Sequence, residues 1–163
     1  TSHAMVHVHL DEGRTAPRRE DRQMEVGDER VVRQPAKQLV EQYNQYEVLP
    51  GKNVNGELTL GENIGDLAGV TIAYDAYRHS LEGRDAPVLD GTTGDQRFYL
   101  GWAQVWRRNY REANLRQRLI TDPHSPSEQR VAVVRNLDPW YQAFNVQAGQ
   151  TLYLAPDARV RIW

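Results

Sequence analysis

Residues 61–81 constrain this chain more than any other stretch. Ile64, Leu67, Ala68, Val70, Ile72, Ala73, Ala76 and Tyr77 recur at helical spacing and wrap most of a helix circumference, which predicts a helix enclosed by other elements. Gly65 and Gly69 weaken such a helix unless something approaches it closely, and Gly83 suits its end. Glu62 and Asp66 stand four residues apart, so both carboxylates share one face. A carboxylate buried on an apolar helix is costly unless it is paired or metal-bound. Two readings stay open on these residues alone. In one, Glu62 ligates a metal and Asp66 accepts a hydrogen bond from a ligating histidine, fixing its tautomer. In the other, the face is exposed or paired with arginines.

The remaining pattern is mainly helical. Leu39, Val40, Tyr43 and Tyr46 predict a helix over 36–46, broken by Pro50-Gly51. Residues 54–60 suggest a turn entering a short extended stretch, and residues 83–94 read as a loop. Residues 95–118 read as one or two helices with Asp95 as N-cap. Phe98, Trp102, Val105 and Trp106 form an apolar stripe there, and Arg107, Arg108, Arg111, Arg116 and Arg118 make the end basic. Pro139 fits the first turn of a short helix that starts at Asn136 or Asp138 and runs through Phe144. An extended tail follows from Gly149, with a turn at Pro156-Asp157. Residues 1–35 carry a dense charge run and no sustained apolar period, which predicts weak packing or disorder there. The chain thus divides into residues 1–35 and 36–163.

Composition narrows the function. With 39% apolar and 26% charged residues, 163 residues suit one soluble globular domain. A net charge of -2 gives no bulk pull toward nucleic acid or an anionic membrane. No apolar run is long enough to span a bilayer, and the N-terminus lacks the apolar region of a secretory signal. With no cysteine, disulfides and thiolate zinc sites are excluded. The compartment stays unassigned, with a cytoplasmic or an exported bacterial protein both compatible.

Three further features carry chemistry. His124 sits between Pro123 and Pro126 in Asp122-Pro123-His124-Ser125-Pro126. Its imidazolium would stabilise a developing oxyanion if it faced a metal site; otherwise it is a surface histidine in a turn. Arg130 offers a bidentate fork for a peptide carbonyl or carboxylate, or is simply solvated. His3, His7 and His9, with Asp11 and Glu12 behind them, form a candidate zinc-binding strand or a solvated stretch.

Four motifs occur in the order found in one enzyme family. Residues 54–69, Val-Asn-Gly-Glu-Leu-Thr-Leu-Gly-Glu-Asn-Ile-Gly-Asp-Leu-Ala-Gly, resemble the segment of neprilysin-type peptidases that supplies the third zinc ligand. Residues 98–107 are similar to the family's aromatic helix. Thr121-Asp122-Pro123-His124-Ser125-Pro126 with Arg130 resembles its catalytic histidine and substrate arginine, and residues 143–146 with 160–163 match its C-terminal end. The resemblance covers residues 36–163. It implies the C-terminal helical part of a thermolysin-like catalytic domain that cuts short peptides with one zinc ion. It further implies that Glu62 is a metal ligand, that Asp66 orients a zinc-ligating histidine, that His124 stabilises the tetrahedral intermediate and that Arg130 holds the substrate backbone.

The departure from the family is equally specific. Its first two ligands and its general base lie on a His-Glu-x-x-His helix, and no His-Glu pair occurs in this chain. Ser2-His3-Ala4 resembles the tail of that motif, and residues 15–34 match nothing. The expectation is a truncated fragment, or a shifted reading of residues 1–35. Such a chain is expected to be inactive alone, or to be a peptide- or partner-binding remnant. Apolar surface at residues 64–77 is expected to be hidden by a homodimer or by aggregation.

Overall fold

The computed structural model describes residues 26–162, with side chains from Arg33 onward. Helix α1 (Val26–Asn44) leads into two short antiparallel strands, β1 (Glu47–Leu49) and β2 (Lys52–Asn53). Helices α2 (Leu60–Ser80), α3 (Gly94–Val105) and α4 (Glu112–Thr121) follow. A short α5 (Ser127–Val131) runs into a 3-10 turn over Ala132–Asn136, and α6 (Asp138–Phe144) precedes the tail. The expected mainly helical class holds. Among the described residues no helix is long and apolar enough to cross a membrane.

Several boundaries differ from expectation for local reasons. α1 begins at Val26, ahead of residue 36, and carries Pro35 inside it; proline removes one backbone hydrogen bond without forbidding helix on both sides. The strands lie at 47–53, not at 54–60. Pro50 and Gly51, the latter at φ +69°, close the hairpin between them. Residues 54–59 turn instead, because the Asn55 side-chain oxygen accepts from the Leu58 N–H at 3.0 Å and the Asn55 backbone carbonyl accepts from the Thr59 hydroxyl at 2.9 Å. α3 is capped by Thr93 and not by Asp95. The Thr93 hydroxyl and Gln96 form a reciprocal capping box, which leaves Asp95 free to pair with Arg78 at 3.2 Å.

The core joins α1, α2 and the 3-10 turn. Leu39, Tyr43 and Val133 are fully buried, with Leu67, Val70, Tyr99 and Val160 around them. The loop before α2 is seated on α1. The Gly56 N–H donates to Asn44 Oδ1 at 2.7 Å, and a Cβ at Gly56 would lie 2.3 Å from the Val40 carbonyl oxygen. Only glycine permits that approach, and it fixes where α2 starts. α2 is not enclosed all round, as its apolar content had implied. It buries Asn63, Asp66, Leu67 and Val70, while Gly65, Gly69, Ala73 and Ala76 are exposed and Ile72 is 64% exposed. Gly65 and Gly69 have open space beside them.

Candidate functional site

Glu62 and Asp66 lie in the first two turns of α2 and share a face, as their spacing requires. Asn63, between them, is buried and accepts from the Ser125 hydroxyl at 2.7 Å while its amide donates to Thr59 Oγ1 at 2.9 Å. That pair ties the loop after α4 to the start of α2. Ser127 is held in turn by Tyr110, whose hydroxyl lies 2.6 Å from Ser127 Oγ. The Tyr43 hydroxyl donates to the Gln129 carbonyl at 3.2 Å, fixing α5 from beneath. Burial pushes the Tyr43 phenol far above its ordinary range.

These ties bring together four expected residues. His124 Nε2 lies 3.2 Å from Glu62 Oε2, and His124 Nδ1 lies 2.8 Å from Asp122 Oδ1. Arg130 donates to both oxygens of Asp66, from Nε at 2.7 Å and from Nη2 at 2.6 Å. Its Nη2 is also 3.8 Å from Glu62, and its guanidinium carbon sits 4.0 Å from the centre of the Trp106 ring. The hydrogen bonds to Asp66 hold the Arg130 pKa above the ordinary arginine value.

Exposure divides the cluster. The Asp66 and Arg130 side chains are 7% and 14% exposed, whereas those of Glu62 and His124 are 43% and 42% exposed. The first pair is a buried support and the second is the accessible half. A cavity of about 230 Å3 opens beside it, lined by Trp106, Arg108, Tyr110, Arg118, His124 and Arg130. An acceptor entering it meets guanidinium donors, which suits a carbonyl or carboxylate, while both His124 nitrogens face Glu62 and Asp122.

Asp66 is held by an arginine, with no histidine beside it among the described residues. Asn63, Trp106, Tyr110 and Asp122 belong to the site but carried no site signal in their spacing. Asp122 alone has a local signal, since an Asp side chain turns readily onto the N–H two residues on. It accepts from the His124 N–H at 2.9 Å.

Burial pushes the Asp122 carboxyl up, but the His124 N–H, its imidazole and Arg118 outweigh that and hold it below the ordinary carboxylate value. A carboxyl depressed in the folded state stabilises the fold above its unfolded pKa, and that contribution is lost as pH falls through the folded value. Asp122→Asn is therefore expected to flatten the loss of stability on acidification below about pH 4. Urea midpoints across that range check it; an unchanged acid slope would refute the linkage.

The donor set does not fit zinc by itself. A zinc ion takes three or four protein ligands. Glu62 and His124 supply two, Asp66 is engaged by Arg130, and no group of three His, Asp or Glu side chains among the described residues is arranged around a common point. His3, His7 and His9, the other candidates, lie outside the described residues.

The chain has clear relatives. The sequence profile of Peptidase family M13 matches residues 1–160. Endothelin-converting enzyme 1 of Rattus norvegicus is 38% identical over 138 residues, covering 82% of this chain and 18% of that protein. Neprilysin-1 of Caenorhabditis elegans is 38% identical over 116 residues, 68% of this chain and 15% of its own. Among solved structures, the Mycobacterium tuberculosis zinc metalloprotease ZMP1 in complex with inhibitor superposes with a TM-score of 0.78 at 50% identity, covering 81% of this chain and 21% of that one. PepO from Lactobacillus rhamnosis superposes with a TM-score of 0.67 at 32% identity, covering 82% and 20%. The chain thus spans about a fifth of the length of these relatives.

Proposed function

The chain belongs to peptidase family M13, and from that premise we propose that it is the C-terminal part of the catalytic domain of a zinc metalloendopeptidase that hydrolyses short peptides. In the complete site Glu62 is a zinc ligand, His124 stabilises the oxyanion of the tetrahedral intermediate and Arg130 holds the substrate backbone. Asp66 orients a zinc-ligating histidine from outside the described residues. A carboxylate has about four acceptor sites, so its two bonds to Arg130 leave room for an imidazole N–H.

The observation that carries this reading is the convergence on Glu62. His124 at 3.2 Å and Arg130 at 3.8 Å reach the same carboxylate oxygen from a loop and a helix more than 60 residues away in sequence. Bound zinc would supply Lewis-acid polarisation and an activated water. The described donors by themselves do not hold that ion, so the expected result for the chain alone is no peptide hydrolysis. A peptide- or partner-binding remnant is the second reading, favoured by the complete Arg130 and Trp106 arrangement beside an incomplete metal site. The exposed strip of Gly65, Gly69, Ile72, Ala73 and Ala76 is covered by a second copy when the chain is alone.

Elemental analysis after dialysis into metal-free buffer, with hydrolysis of an internally quenched peptide, tests the reading. Little zinc and no chelator-sensitive hydrolysis are expected. Stoichiometric zinc with hydrolysis abolished by Glu62→Ala would show a complete site. Light scattering on the same sample should give a dimer or larger species, and a clean monomer would count against the covered strip.

A further inference from the structure

Asn55-Gly56 is the chain's only Asn-Gly pair, and it lies in the turn that leads into α2. Such a pair carries a spontaneous chemistry of its own. The Gly56 nitrogen, once deprotonated, attacks the carbonyl carbon of the Asn55 side chain. A C–N bond forms, ammonia leaves and a five-membered succinimide closes. Water then opens the ring at either carbonyl, leaving an aspartyl or an isoaspartyl residue. Glycine favours the step because no Cβ crowds the attacking nitrogen. Water is the only co-reactant.

The structure exposes the carbonyl and withholds the nucleophile. Asn55 is exposed, so water reaches its amide, but Gly56 is buried. The Gly56 N–H donates to Asn44 Oδ1 at 2.7 Å, which keeps its proton from solvent base. The seat is tight, since a Cβ at Gly56 would lie 2.3 Å from the Val40 carbonyl oxygen and 2.9 Å from Asn44 Oδ1. The Asn55 backbone carbonyl accepts from the Thr59 N–H at 3.1 Å and its hydroxyl at 2.9 Å, which fixes the peptide plane next to Gly56. Of these ties, the bond to Asn44 is the one that holds the attacking atom. Asn44 is the last residue of α1, and helix ends fray. The bond can therefore open locally, without unfolding the core.

We propose that Asn55 is a deamidation site held latent by Asn44, and that it reacts whenever the end of α1 releases the Gly56 N–H. An isoaspartyl linkage adds a carbon to the backbone beside a seat that only glycine fits, so the product does not return to it. The full chain is incubated in mildly alkaline buffer below its melting temperature and digested. Peptide mass spectrometry then reads the conversion of amide to acid at Asn55. Asn44→Ala should accelerate it about fivefold or more, the change in a local opening equilibrium that one hydrogen bond supplies. Asn44→Asp keeps an acceptor oxygen in place and should stay near the parent rate. Thr93→Ala, which removes the distant cap of α3, should lower stability and leave the rate unchanged. In urea all four chains should react alike, and faster than the folded parent. The proposal is overturned if Asn44→Ala reacts at the parent rate, or if Asn44→Asp or Thr93→Ala matches its acceleration. It is also overturned if the folded parent reacts as fast as it does in urea. Should Asn44→Ala melt below the incubation temperature, hydrogen exchange on the parent decides. The Gly56 amide should then exchange faster than that of buried Leu39, marking a local opening, and equal protection of the two would overturn the proposal.

Discussion

Replacing Asp66 by Ala is expected to destabilise the chain by about 3–5 kcal/mol, the range for breaking a buried ion pair by removing one partner. Both Asp66 oxygens are taken by Arg130, and both side chains are largely out of water. Without the carboxylate the guanidinium stays pressed on Trp106 at 4.0 Å, with Glu62 at 3.8 Å as its nearest remaining anion. Urea denaturation followed by circular dichroism measures the loss. The double variant Asp66→Ala with Arg130→Met should be less destabilised than the single one, because removing both charges leaves no unpaired ion. A contrast comes from the accessible half of the cluster. Glu62 and His124 are more than two-fifths exposed, so solvent screens their contact and His124→Ala should cost at most about 1 kcal/mol. If Asp66→Ala costs no more than His124→Ala, the division into buried support and accessible site is wrong.

That division explains which parts of the site could be read from sequence. The spacing of Glu62 and Asp66 fixes a shared face on any helix, and the structure keeps it. Pairing of that face with arginines was one of the two readings open from the residues alone, and it is what Asp66 does with Arg130. The partner itself lies 64 residues away, and no local pattern reports a contact at that separation. Trp106 read only as part of an apolar stripe, because its stacking on Arg130 depends on how α3 meets α5.

Helix termini set by local chemistry were legible near Pro139 and Gly83, but Thr93 displaced Asp95 as a cap because a reciprocal box satisfies two backbone donors where Asp95 would satisfy one. α2 departs from its periodicity for another reason. Its apolar residues wrap the helix, but the described elements pack against only one side, so Ile72 and Ala76 face outward. Sequence periodicity reports which faces can be buried, not which are covered.

Asn136→Leu should be nearly as damaging as Asp66→Ala, by a different route. Asn136 is 2% exposed and makes four hydrogen bonds. Its Oδ1 accepts from Gln42 Nε2 at 3.0 Å and from the Val160 N–H at 2.9 Å. Its Nδ2 donates to Gln42 Oε1 at 2.9 Å and to the Val133 carbonyl at 3.4 Å. One side chain therefore joins α1, the 3-10 turn after α5 and the C-terminal tail. Leucine fills a similar volume but leaves the Gln42 amide and the Val160 N–H buried without partners, each costing about 1–3 kcal/mol. A total of about 3–5 kcal/mol is expected by urea denaturation. Adding Gln42→Leu should recover part of it, since replacing both members of a buried polar pair by apolar groups can be nearly neutral. The Val160 N–H stays unpaired in either variant, so its amide should exchange with solvent faster than in the parent chain while that of Leu39 follows global stability. Unchanged Val160 exchange together with a loss below about 1 kcal/mol would mean that the tail is held by its apolar contacts alone. The turn that carries α5 would then owe its position to Tyr43 beneath Gln129 and not to Asn136.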